Sequence, residues 1–188
     1  SETQVINFFN KVKKKTKKID SLINNVGIAG PTGTIEKLNS HDWERTLKIN
    51  VISHFYFTKL AIPMLKKNKG GSIINISSIM GVTGGGPAPN SPYHASKGAI
   101  VNLTRSLANE WGEKGIRVNS IGPTYTKTRL IKDLNANKDK LEHIIDRTPL
   151  KRLAEVSEMA GGILFLASDA SSIVTGHTLM LDGGWSAI

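Results

Sequence analysis

An α/β fold with a parallel, helix-covered sheet is predicted by three features of the 188-residue sequence. Ile73, Ile74 and Ile76 crowd one short run and fill both faces of a strand, as expected where helices cover the sheet on two sides. Strand-like runs near residues 21, 73 and 116 alternate with helical periods that begin near residues 3, 39, 91 and 155. The length suits one hydrophobic core and is short for two, so residues 1–188 are read as a single domain.

The elements follow in chain order. Residues 3–18 read as an amphipathic helix, with Val5, Phe8, Phe9, Val12 and Ile19 on one period and lysines opposite. Ser21 to Ile23 is a short strand, and Asn24, Asn25, Val26 and Gly27 form a turn suited to close backbone approach. After a loop at Pro31 and Gly33, Asn39 or Ser40 caps a long helix with acidic Asp42 and Glu44 near its start. Trp43, Leu47, Val51, Phe55, Thr58, Ile62 and Leu65 mark its apolar stripe, and Pro63 should kink or end it near Ile62. The strand of Ile73 leads into a loop rich in glycine and proline. Ser91 then caps a helix with Pro92 at its first position and Ala99, Leu103, Leu107 and Trp111 on one face. Gly115 ends that helix, and Ile116 to Ile121 is a further strand closed by Gly122 and Pro123. From Glu155 a helix packs Val156, Met159, Ile163, Leu164 and Leu166, while Gly161 and Gly162 either weaken it or permit close packing.

Chemistry concentrates between Ser72 and Trp111. Tyr93 and Lys97 lie one helical turn apart on the same side. A free phenol, with a pKa of about 10, is a poor acid or base at neutral pH, and a nearby ammonium favours the phenolate. A tuned phenol can exchange a proton with a carbonyl or alcohol oxygen. Ser77 and Ser78, at the end of the preceding strand, could offer a hydroxyl to the same oxygen. A Tyr-x-x-x-Lys pair alone is ordinary on a helix surface; the serine pair, the glycine loop and the capped helix in one run make it a candidate site.

This run resembles the active-site segment of the short-chain dehydrogenase/reductase family. The resemblance implies a Rossmann-type doubly wound parallel sheet and an oxidoreductase using NAD or NADP. It implies a small-molecule alcohol or ketone substrate, of 3-oxoacyl thioester or sugar and polyol type. Tyr93 matches the family's general acid/base, Lys97 its partner, and Ser78 the substrate-orienting hydroxyl, so Ser78 and Tyr93 would bind substrate. The segment Lys48-Ile49-Asn50-Val51 is similar to the one that supplies a catalytic asparagine from a distorted helical turn, which nominates Asn50. Asn25 and Gly27 match an Asn-Asn-Ala-Gly motif that lines the cofactor's ribose, with Val26 in place of alanine. TYTKT resembles the loop that holds the nicotinamide carboxamide and nominates Thr126 and Thr128, the latter as the better side-chain candidate. Thr124 stands where glycine is usual, and a β-branched residue resists positive φ. Residues 129–153 would form short helices over the site, and residues 176–184 the last strand and terminal turn. Relatives pair through the helices of Trp43 and Tyr93 into tetramers, so a homo-oligomer is implied.

The front of the family's domain is not found: no glycine-rich phosphate turn precedes residue 27. The first strands of the usual 3-2-1-4-5-6 order are absent as well. The expected fold is therefore N-terminally incomplete, about the last three-quarters of a usual domain, with an exposed edge on the strand before Asn24 and a longer native gene product. A non-catalytic fragment or subunit-interaction module is the competing reading.

Composition narrows the classes. Cysteine is absent, which excludes disulfides and thiolate metal sites, and the five histidines show no paired ligand spacing, so no metal is expected. Net charge is +10, but six lysines between Lys11 and Lys18 carry most of it; removing them leaves +4. With aromatics at 6% and none interleaved with that run, nucleic acid is not the expected partner. The apolar runs are too short to span a bilayer and the first residues lack a signal pattern, which reads as a soluble cytoplasmic chain.

Overall fold

A computed structural model of the chain describes residues 1–68, 70–131 and 137–188. Four parallel strands form one sheet in the order β1 (Ser21–Asn24), β2 (Gly71–Ile76), β3 (Ile116–Pro123) and β4 (Thr178–Leu181). Register pairs Ile23 with Ile74, Ile74 with Asn119, and Ser120 with Thr178. As expected from the absent first strands, β1 is an edge among the described residues, and its Ile23 is 44% exposed.

Helices cover both faces. On one lie α1 (Glu2–Lys15), α3 (Ser53–Lys67) and α4 (Ser91–Trp111), whose Val5, Phe9, Ala61, Leu65 and Ala108 pack with Ile73, Ile116 and Val118. On the other, Leu166 of α6 (Val156–Ala167) meets Ile74 and Ile121. Ile73 and Ile74 thus serve opposite faces, as their β-branched run implies. A third cluster of Ile79, Met80, Ile144, Leu153 and Trp185 closes the carboxyl ends of the strands, with Ile144 supplied by α5 (Lys138–Arg147). No helix among the described residues is long and apolar enough to cross a membrane.

Several elements depart from the sequence reading. Helix α1 stops at Lys15 rather than residue 18, because Thr16 turns to extended backbone, and its capping box is formed by Ser1 and Gln4. The long helix predicted after Asn39 is three pieces: α2 (Ser40–Leu47), a π turn at Lys48–Ile52, and α3. Asn39 is its cap, accepting from the His41 amide at 2.8 Å. Thr58, Ile62 and Leu65 of the predicted stripe are buried, whereas Phe55 is 48% exposed and Trp43, Leu47 and Val51 are half-buried; Thr46, Asn50 and His54 lie inside beside them. Asn50 is held inside by hydrogen bonds with Ile28 and Ser96, and Thr58 by one from Asn24. Pro63 does not end the helix, which continues to Lys67. Pro63 and Lys59 both face solvent, so water can satisfy the Lys59 carbonyl that Pro63 leaves unpaired.

Helix α4 is capped by Asn90, not Ser91: the Asn90 Oδ1 accepts from the Tyr93 amide at 3.3 Å. The α-helix ends at Trp111, and a 3₁₀ turn at Gly112–Lys114 leads to Gly115, whose φ of 72° only glycine adopts freely. In α6, Leu166 and Gly162 are buried while Val156 and Leu164 are exposed, so the predicted apolar packing is narrower. Gly162 serves close packing, since a Cβ there would stand 2.6 Å from Leu181 Cδ1. Of the predicted short helices at 129–153, the structure shows a 3₁₀ turn at Arg129–Ile131 and α5; residues 132–136 lie outside the described residues.

A polar ladder crosses the sheet. Asn24 Nδ2 donates to Asn75 Oδ1 at 2.9 Å and to Thr58 Oγ1 at 3.2 Å, and Asn75 Nδ2 donates to Thr104 Oγ1 at 3.0 Å. All four side chains are buried, so the ladder joins α3, β1, β2 and α4 where no water can substitute. Asn75→Ala should therefore destabilise the fold by about 1–3 kcal/mol, the cost of stranding buried donors and acceptors. Urea denaturation measures it, and an unchanged midpoint would show that the ladder contributes nothing net.

Candidate active site

The carboxyl ends of β1, β2 and β3 converge on the first turns of α4. Asn90 fixes that approach: besides capping α4, its Nδ2 donates to the Ala29 carbonyl at 2.9 Å, and its own carbonyl meets His94 Nδ1 at 2.7 Å. Gly81 lets the β2 loop lie against the helix, since a Cβ there would stand 2.7 Å from both the Lys97 carbonyl and Ser77 Oγ. Ser77 is spent on this contact, donating to the Lys97 carbonyl at 2.9 Å. Ser78, buried and accepting from the Met80 amide at 3.1 Å, is the serine that also engages the Tyr93 hydroxyl.

Tyr93 and Lys97 share this pocket in an arrangement other than the one expected. Burial pushes the Tyr93 phenol above its ordinary value, and the hydrogen bond with Ser78 pulls the other way without prevailing. Lys97 does not lower it: its Nζ donates to the Ile76 carbonyl at 2.7 Å and sits 5.8 Å from the Tyr93 ring centroid. Burial moves the lysine instead, down to about 8. The loss of water around both thus drives their proton affinities apart, the phenol upward and the amine downward.

Asn50 is wholly buried at the π turn, the distorted turn that the resemblance implies. Its Oδ1 accepts from the Ile28 amide at 2.8 Å, and its Nδ2 donates to the Ile28 carbonyl and to Ser96 Oγ, both at 3.0 Å. Ser96 in turn donates to the Tyr93 carbonyl at 2.7 Å. A Cβ at Gly27 would stand 3.4 Å from Lys97 Nζ and 3.5 Å from Asn50 Oδ1, so the β1 turn, the π turn and α4 meet at one point. His54 lies behind them; burial, then the charge of Lys97, pushes its imidazole down to about 4 against a backbone hydrogen bond at Asn24.

Asn25 is exposed at the turn after β1, whereas Asn24 carries the sheet ladder. Of the three threonines after β3, Thr128 is exposed, and Thr126 donates to the Thr124 carbonyl at 3.0 Å. Thr124 holds the buried hydroxyl with no partner. Its backbone is not strained, because Lys151 alone among the described non-glycine residues has positive φ. Tyr125 and Trp185, absent from the sequence reading, complete the wall: their ring centroids are 5.4 Å apart, and a Cβ at Gly86 would lie 3.5 Å from the Tyr125 hydroxyl. No spacing signal distinguishes either ring from ordinary core.

Among the described residues no three His, Asp or Glu side chains gather as a metal would require. A cleft of about 530 Å³ does open at the other end of the sheet, between Asp20, Ser72, Arg117 and Ser172. Among the described residues its ionisable lining is Asp20, Asp169 and Arg117, without a Tyr, His or Lys beside them, so chemistry rather than volume marks the site.

Comparison with known proteins gives a consistent picture. A family model described as enoyl-(acyl carrier protein) reductase matches residues 1–186. A 2-dehydro-3-deoxy-D-gluconate 5-dehydrogenase of Dickeya dadantii is 39% identical over 171 residues, which are 90% of this chain and 66% of that protein. The 3-oxoacyl-[acyl-carrier-protein] reductase of Thermotoga maritima is 35% identical over 96% of this chain and 72% of its own length. The solved gluconate 5-dehydrogenase from Burkholderia cenocepacia J2315, in complex with NADP and tartrate, superposes with a TM-score of 0.94 at 30% identity. It covers 100% of this chain and 72% of the solved one.

Proposed function

The chain belongs to the short-chain dehydrogenase/reductase family, and from that premise we propose that it serves an oxidoreductase of CH–OH groups. The observation that carries the proposal is the convergence of half-buried Tyr93 with buried Ser78 and Lys97, the serine held by the Met80 amide and the lysine by the Ile76 carbonyl. The substrate is a secondary alcohol or ketone of sugar, polyol or 3-oxoacyl type. The chain spans 66% of the length of the curated 2-dehydro-3-deoxy-D-gluconate 5-dehydrogenases that it matches, and the activity proposed is that of the whole protein.

Hydride is exchanged with a nicotinamide nucleotide, NAD or NADP, when one is bound. The residues present fit its nicotinamide and ribose: the Thr124 hydroxyl is buried without a partner, and the open side of Gly27 faces Lys97 Nζ. Asn25, Gly27, Tyr93, Lys97, Thr126 and Thr128 are the surrounding candidates, and Thr124 joins them. Ser78 holds the substrate oxygen beside the Tyr93 hydroxyl. In reduction Tyr93 gives its proton to that oxygen, and in oxidation it takes one back. Lys97, with its Nζ beside Gly27, would hold the ribose of the nucleotide, and Asn50 fixes the backbone at Ile28 and, through Ser96, the first turn of α4.

Nicotinamide absorbance on a panel of ketones and alcohols tests the reading, and no turnover with any of them would end it. Ser78→Ala should lower kcat/KM roughly 100-fold, as removal of a single oxyanion donor does, with partial recovery in Ser78→Thr. A homotetramer working in the cytoplasm is the expected setting, with Ile52 and Phe55 as exposed apolar contacts on the helix of Trp43. The exposed β1 edge supports a second reading, a subunit-interaction module without activity. Calorimetry with NADH and NADPH separates the two: no heat, together with a stable oligomer, favours the module.

A further inference from the structure

The wall beyond Tyr93 carries a cation that the proton chemistry does not use. Arg147, at the end of α5, holds its guanidinium 4.8 Å from the ring centroid of Trp185, which is completely buried. Trp185 packs against Tyr125, and Tyr125 responds to both neighbours: burial and then Tyr93 push its phenol up, while Arg147 pulls it down. Across the opening stands the glycine loop. A Cβ on Gly85 would lie 3.0 Å from the guanidinium carbon, so the missing side chain leaves the place that Arg147 occupies.

We propose that Arg147 anchors a carboxylate of the substrate, so that the site takes a short hydroxy or keto acid in preference to a neutral polyol or a thioester. This deepens the oxidoreductase reading and rests on it. A guanidinium stacked on an indole uses its face; its N–H groups lie in the plane and stay free for a bidentate anion. Among the described residues no carboxylate takes them. Glu158 pairs with Arg152, Glu155 with Lys127, and Glu2 with Lys59. Asp182, in the same turn as Trp185, accepts from the amides of Gly184 and Ser186 at 3.0 and 2.9 Å and from the Ser186 hydroxyl. A cation partly withdrawn from water on an aromatic face strengthens its bond to an anion that reaches it. If Arg147 only fastened α5 to the terminal turn, its loss would weaken charged and neutral substrates alike.

The experiment compares D-gluconate with D-glucitol, which has the same carbon chain without the charge, as substrates of the full-length enzyme, and follows gluconate binding by calorimetry. The wild type should prefer gluconate. In Arg147→Gln that preference should fall roughly 10- to 100-fold, chiefly through KM, the scale of a lost charged hydrogen bond. Arg147→Lys should keep part of it, because it retains the charge without the planar fork. Equal preference in the wild type and Arg147→Gln, or none in the wild type, overturns the proposal. If neither compound is oxidised, the oxidoreductase reading is decided separately by the wider panel of ketones and alcohols, and the calorimetry decides the anchor. Gluconate heat present in the wild type and lost in Arg147→Gln supports the anchor; heat absent from the wild type or unchanged in the variant overturns it.

Discussion

Tyr93→Phe is expected to lower turnover by about 10²–10⁴-fold, the range attached to a positioned proton donor, without loosening the fold. The ring packs beside Ile79, Met80 and Trp185, and those contacts survive when only the hydroxyl is removed. Ser78 is not stranded either, since it still accepts from the Met80 amide. Burial raises the phenol, so it remains protonated through neutral pH and is poised to give its proton. Ketone reduction should therefore be favoured near neutrality, and alcohol oxidation should climb toward alkaline pH. Steady-state rates in both directions, with thermal melts as a folding control, test this. Wild-type turnover in the phenylalanine variant would remove Tyr93 from the chemistry.

Lys97→Met should lower turnover by about 10²–10³-fold, as loss of a charge-stabilising group does, and should alter how stability depends on pH. The amine falls from 10.5 to about 8 on folding because its site is dry. Above 10.5 it is neutral in both folded and unfolded chains and costs nothing. As pH falls from 10.5 through about 8, the folded protein binds a proton less readily than the unfolded one, so stability is lost until the penalty is complete. At about 1.4 kcal/mol per unit the full penalty is of order 3 kcal/mol. Stranding the Ile76 carbonyl in the methionine variant costs about 1–3 kcal/mol and offsets much of the gain. The wild type should thus gain on the variant as pH rises from 8 to 10.5, measured by urea melts across that window. A gain in the opposite direction would mean that the ammonium is stabilised inside, by an anion or by water.

The sheet was legible because its strands carry apolar residues on both faces, a pattern that Ile73 and Ile74 satisfy and that only a helix-covered sheet explains. The pair Tyr93 and Lys97 was legible from helical spacing. Periodicity finds the buried Thr58, Ile62 and Leu65 of the helix after Asn39 but misreads its earlier part, where Phe55 is exposed. There Asn50 lies inside because Ile28 and Ser96, distant in sequence, give its amide partners. The effect of Lys97 on Tyr93 was misjudged for a related reason. One-turn spacing brings two side chains to one side, but the nearby Ile76 carbonyl decides where the ammonium points. Arg147 and Trp185 are 38 positions apart, and nothing in a one-dimensional pattern stacks one on the other.

The widened turn at Lys48–Ile52 has a mechanical consequence. Each residue of a regular helix advances the azimuth by about 100°. Excising one residue from that turn would restore the regular helical repeat but swing Ile62, Met64 and Leu65 around the axis and out of the cluster with Val5 and Phe9. Holding those three in place instead would rotate Asn50 away from Ile28. The irregularity therefore acts as a phase adjuster, letting a single rod satisfy a chemical address at one end and a greasy one at the other.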